Sequence, residues 1–243
     1  MSEAFFWGVL AASSLLLGGL AAIWLPISRR ALGLVMAFGA GVLISAVAYE
    51  LVQEAFVTSH GNWEIALGLG AGSLVFYAGD AWIDRRGGAH RKHSGGRQTE
   101  GSGLAIVLGI VLDGIPESLV LGLTVLEAGA VSAALLVAVF LSNLPEAVAA
   151  TAGLAQAGWR RSRILGLWVL VMVVSGLAAL AGYALFDSAS SSTVAFVLAF
   201  AGGAVLTMLA DTMMPEAFEH GGKLVGIVTT LGFGLAFAIS ALD

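Results

Sequence analysis

Residues 105–150 read AIVLGIVLDGIPESLVLGLTVLEAGAVSAALLVAVFLSNLPEAVAA, two apolar runs joined by a short polar turn near Glu127 to Ser132. Each run has the ~20-residue length of a helix that crosses a hydrocarbon core of roughly 30 Å. Neither contains Lys, Arg or His, yet both carry acids in mid-run: Asp113 and Glu117 in the first, Glu146 in the second. A Pro directly precedes a Glu in each, at Pro116-Glu117 and Pro145-Glu146. This stretch predicts two membrane helices with carboxylates at their centres, because by helix rise Asp113 lies about 15 Å into its run and Glu146 is similarly deep.

The rest of the chain has the same character. Its 243 residues are 58% hydrophobic and 11% charged, with a mean hydropathy of +0.95, whereas a soluble domain carries roughly 25% charged residues. The composition predicts an all-α, polytopic membrane protein, one transmembrane domain over residues 1–243. Eight apolar runs fall near 4–27, 31–56, 62–83, 103–126, 129–157, 162–186, 192–218 and 222–242. The polar, Gly-rich stretch 84–102 divides three runs from five. Met1 to Trp7 has no positive charge and carries Glu3, so the first run is expected to remain as a helix rather than be cleaved as a signal. With 11 Lys and Arg against 16 Asp and Glu, a net charge of −5 and no extended basic stretch, nucleic acid is not an expected partner. The chain has no Cys, which removes disulfides, thiolate nucleophiles and sulfur-ligated metals.

Charge also sets the orientation. Arg29 and Arg30 follow the first run; Arg85, Arg86, Arg91, Lys92 and Arg97 the third; Arg160, Arg161 and Arg163 the fifth; Lys223 the seventh, which accounts for all 11. The loops after the second, fourth and sixth runs hold none. The positive-inside rule then places the odd loops in the cytoplasm and both termini on the outer or periplasmic side of the cell (inner) membrane.

An internal repeat runs through this pattern. Setting 38–56 over 200–218 matches Phe38 with Phe200, Gly41 with Gly203, Ala48 with Ala210, and Glu54-Ala55-Phe56 with Glu216-Ala217-Phe218. The second run points outward and the seventh inward, so the halves are inverted, as in many secondary transporters that carry two gates around a midplane site.

The acids inside the runs are Glu50, Asp113, Glu117, Glu146 and Asp211, with Glu54, Asp80 and Glu216 nearer the ends. Each ionised acid at mid-bilayer costs about 2.5–3.5 kcal/mol. Every Lys and Arg is assigned to a loop or a run's first residues and no His falls within a run, so no protein cation is available at depth and neutralisation is left to protons or a bound cation. Asp113 and Glu117 are four residues apart, as are Ser142 and Glu146, so each pair shares a helix face. Pro116 and Pro145 cannot donate to the carbonyls of Leu112 and Leu141, which favours a kink and a freed carbonyl facing a neighbouring helix or an ion. Two such motifs at matched depth favour a cation site. Glu50 and Glu54 are expected toward the outer mouth of a transport path; Asp211, Glu216, Glu219 and His220 are expected to descend to the inner one. Glu50 and Asp211 are equally open to a role in buried polar packing. His90 and His93 read as incidental in a solvated loop.

These features together resemble the ZIP family of divalent metal transporters, as a divergent member of prokaryotic type. The resemblance spans nearly the whole chain: eight helices, outside termini, a long inside loop after the third, x-P-E motifs on the fourth and fifth, and Pro215-Glu216-Ala217 ending the seventh. The family's fourth-helix motif reads His-Asn-x-Pro-Glu-Gly; Asp113 stands at its His, Gly114 at its Asn and Glu117 at its Glu. On the fifth helix Ser142, Asn143 and Glu146 stand at the ligand positions. The resemblance implies a 3+2+3 inverted-repeat architecture in which Asp113, Glu117, Ser142, Asn143 and Glu146 hold a metal between helices four and five. The metal is then passed inward as the halves move in an elevator-like or rocking fashion. Many members have a second site built from the Asn of helix four and an acid on helix six. Here Gly114 cannot ligate and the sixth run holds no acid, so one site is expected. Zn²⁺ is the cargo the resemblance puts first; the all-oxygen ligands admit Fe²⁺ or Mn²⁺ as well, since zinc sites usually draw on His or Cys. The metal is substrate, and no resident cofactor is expected.

Two other classes compete. A proton-coupled carrier of a small organic substrate would use the same acids as proton relays. An intramembrane metallo-hydrolase would want His ligands or a G-x-S-x-G motif; the runs hold neither, so no enzyme is expected. Beyond the lipid bilayer and the metal, small-residue faces such as Gly18-Gly19 and Gly202-Gly203 would permit a homodimer.

Overall fold

The computed structural model describes residues 2–59, 63–85, 102–128 and 131–242. Most of the basic stretch 84–102 with His90 and His93, and likewise His60, lies outside the described residues. The structure is 92% helix, with no strand among the described residues. The helices are α1 (Ser2–Trp24), α2 (Arg29–Ser59), α3 (Glu64–Ile83), α4 (Ser102–Ala128), α5 (Ala133–Gln156) and α6 (Arg161–Leu185). They are followed by α7 (Ser191–Met208, continued by Leu209–Met213 and Met214–Gly221) and α8 (Val225–Ser240). Seven helical stretches among the described residues are long and apolar enough to cross a membrane, the architecture of a multi-pass membrane protein. The seventh runs from Ser191 to Ser240 over 50 residues and so contains both α7 and α8. Gly222 interrupts it at φ +64°, a conformation open to Gly and costly for other residues, before a 3₁₀ turn over Gly222–Leu224.

Local chemistry explains the boundaries. α1 stops at Trp24, a few residues earlier than expected, because Leu25 precedes Pro26 and is pushed out of helical geometry. Ser28, Ser132 and Ser190 cap α2, α5 and α7, their hydroxyls accepting from the N–H groups of Ala31, Leu135 and Thr193 at 3.1, 3.1 and 3.2 Å. Pro116 and Pro145 lie inside α4 and α5, and both helices continue through them. The Leu141 carbonyl, which Pro145 cannot serve, faces Gly39 of α2, where an added Cβ would approach it to 3.2 Å.

Packing divides the helices into two groups. α2 lies along α8 and α3 along α7; α1 packs on α5 and α6, and α4 on α6. The α1–α5–α6 core gathers Leu15, Ala147, Leu154 and Ile164 around Trp168, whose indole N–H donates to Thr151 at 2.9 Å. α2 joins the two groups through its contacts with α5.

The α2–α8 and α3–α7 seams use the same contacts. A Cβ at Gly41 would collide with the Thr229 carbonyl, and one at Gly232 with the Phe38 carbonyl. On the other seam, a Cβ at Gly203 would collide with the Leu69 carbonyl, and one at Gly72 with that of Phe200. Gly41 and Gly203, Phe38 and Phe200 are the pairs matched in the sequence. The two long helices also share an unexpected feature: each widens into π geometry, α2 over Val47–Gln53 and α7 over Leu209–Met213, beginning at matched positions. The glycines invoked for a homodimer are occupied within the chain, Gly18 against Leu144, Gly19 against the Trp168 ring and Gly203 against Leu69. A second copy would have to use another face.

Candidate functional site

Where α2, α4, α5 and α7 meet, a cavity is lined by Asp113, Glu146, Thr212 and Glu216, with Met36 and Met213 beside them. The space unfilled by atoms, its mouth included, is about 430 Å³. Helical spacing makes this wall. Gly109 lies one turn before Asp113 on α4, and Ala149 and Ala150 one turn after Glu146 on α5, so small residues leave room beside each acid. Thr212 and Glu216 are likewise one turn apart on α7. Asp113 is 5% exposed and Glu216 3%, while Glu146 is half-buried. Among the described residues, no basic side chain lines the cavity. Carboxylates on such a wall offer oxygen donors to a cation.

Glu117, one turn beyond Asp113, opens onto a different space of about 270 Å³ whose other walls are apolar, among them Leu51, Val120, Leu135 and Val139. Asn143 and Ser142 are buried on α5 between Val139, which lines the second space, and Glu146, which lines the first. The Ser142 hydroxyl donates to the Val139 carbonyl at 3.1 Å. Of the five expected ligands, the structure therefore places Asp113 and Glu146 on one wall and adds Glu216 to them; Glu117, Ser142 and Asn143 are not on that wall. Among the described residues no three His, Asp or Glu side chains are gathered closely enough to hold a metal ion.

The expected path residues are dispersed. Glu50 is half-buried and accepts from Ser132 and Ser240. Glu54 is exposed and accepts from Thr58 at 3.4 Å. Asp211 is exposed and lines neither space, whereas His220 is half-buried near the end of α7, beside Gly33. Thr212, Met36 and Met213 escaped the sequence reading, which followed charge; the available signal for Thr212 was its four-residue spacing from Glu216. No protein-family model matches the chain, and no curated protein matches it.

Proposed function

We propose that the protein carries divalent metal cations across the cell membrane in the manner of a ZIP transporter. One observation carries the reading: three helices bring Asp113, Glu146 and Glu216 to the lining of a single cavity. In this reading the ion is held by those carboxylates with the Thr212 hydroxyl. Glu117, Ser142 and Asn143, about a turn away on the same helices, serve the site when it faces the other way. In this reading α7 and α8, parted at Gly222, are separate crossings, for eight in all with both termini outside and the cavity toward the inside. The doubled glycine contacts and matched π stretches support an inverted repeat. On this reading α1, α4, α5 and α6 shift against α2, α3, α7 and α8 as the ion crosses. Zn²⁺ comes first on the family resemblance, and Fe²⁺ or Mn²⁺ are admitted because every donor is oxygen.

Calorimetric titration of the purified protein in detergent with Zn²⁺ and with Mn²⁺ tests this. Saturable binding is expected, weakening as pH falls because a carboxylate must lose its proton to ligate. Glu146→Gln keeps shape and removes charge, so it should weaken binding far more than Asn143→Ala. Asp113→His should favour Zn²⁺ over Mn²⁺. Unchanged affinity in both Glu146→Gln and Asp113→His would overturn the site. Because Asp113, Glu146 and Glu216 line one cavity without lying close enough together to hold an ion as they stand, the proton-relay carrier is the second reading; it predicts acid-driven uptake indifferent to metal.

A further inference from the structure

Glu50 lies in the π stretch of α2, and both of its carboxylate oxygens are engaged by hydroxyls from other helices. Ser132, which caps α5, donates to Oε2 at 2.5 Å; Ser240, at the end of α8, donates to Oε1 at 2.6 Å. Hydroxyl bonds to a carboxylate at such lengths are at the strong end of the range. One side chain thus ties α2 and α8 of one helix group to α5 of the other.

The apolar space around Glu117 adjoins this tie. Leu51, the residue after Glu50, and Leu135, whose N–H is capped by Ser132, both line it. That space is also the matched counterpart of the Asp113 cavity. Setting Phe38 on Phe200 sets Leu51 on Met213, and setting Pro116-Glu117 on Pro145-Glu146 sets Val120 on Ala149 and Val139 on Ile110. Glu117, Leu51, Val120 and Val139 line one space; their counterparts Glu146, Met213, Ala149 and Ile110 line the other. The same alignment sets Glu50 on Thr212. At the roomier cavity that position faces the cavity as a Thr, and at the smaller space it is a carboxylate bound across to two other helices.

We propose that Glu50, through Ser132 and Ser240, is a latch that holds the Glu117 space shut. Its release opens that space to the outer face while the Asp113–Glu146–Glu216 cavity closes. The proposal rests on the alternating-access reading above, and its test needs no metal.

The chain has no Cys, so a single introduced thiol reports one position. Val139→Cys lines the second space and Ala149→Cys the first. Each is combined with Glu50→Ala or with the milder Ser240→Ala, and its reaction rate with a charged thiol reagent is measured on the purified full chain in detergent. Loss of a charge-assisted hydrogen bond shifts a two-state equilibrium by about tenfold; from a starting ratio of about 10:1 this raises the rate at 139 about fivefold and lowers that at 149 about twofold. Glu50→Ala should do both, and Ser240→Ala should move both rates the same way. Unchanged rates in both variants overturn the latch. So does a rise at 139 without a fall at 149, which is local loosening. If the reciprocal change holds but the protein binds no metal, the latch stands and the cargo assignment falls. If metal binds and the rates do not move, the latch falls alone.

Discussion

Glu216 is 3% exposed and shares its cavity wall with two other acids. Glu216→Gln should therefore weaken metal binding as severely as Glu146→Gln. Loss of groups that merely orient a ligand costs about 10–100-fold, so loss of either carboxylate should exceed about 100-fold in the same titration. Glu54 is its partner in the repeat but is exposed on α2. There it can only raise the local cation concentration, an attraction that salt screens. Glu54→Gln should lower uptake at low metal and low ionic strength and leave saturating binding intact; lost binding at saturation would move Glu54 into the site. Asp113 and Glu146 were legible because an acid after Pro in an apolar run has few innocent explanations. Thr212 was not, since a neutral hydroxyl in such a run is ordinary. Nor could spacing reveal that Glu50 meets Ser132 and Ser240, which stand far from it in the chain.

Among the helices, the closest approaches are backbone against backbone. Gly41 and Gly203 meet carbonyls of α8 and α3, where an extra methyl has no flexible neighbour to displace. Gly41→Ala and Gly203→Ala should each destabilise by about 1–3 kcal/mol through overpacking, read as lower thermal midpoints in detergent. Gly234→Ala is the control, since its added Cβ meets nothing within 4 Å. Equal midpoints for all three variants would mean that the seams are looser than described. Helix positions were largely readable from apolar run length, and the early end of α1 follows from Pro26. The π stretches were not, because a one-turn change of hydrogen-bond register in α2 and α7 leaves no residue-type signature.

For the whole molecule the decisive property is sidedness. Every Lys and Arg falls after an odd-numbered run, which predicts that Cys introduced at Ser190 reacts from outside intact cells and Cys at Gln156 does not. Reversed labelling would overturn the orientation and, with it, the proposal that the cavity opens inward. The same order of helices governs how the protein is made. α2 ends at Ser59, but α8, along which it packs, ends at Ser240. At a synthesis rate of roughly 5–20 residues per second, α2 waits about 10–40 s for that neighbour to leave the ribosome. In that interval the glycine face of α2, and Glu50 with it, meets lipid or a chaperone instead of its final partner. A ribosome that stalls before residue 225 therefore leaves an inserted but incompletely packed chain, in which Glu50 has Ser132 but not Ser240 to bind.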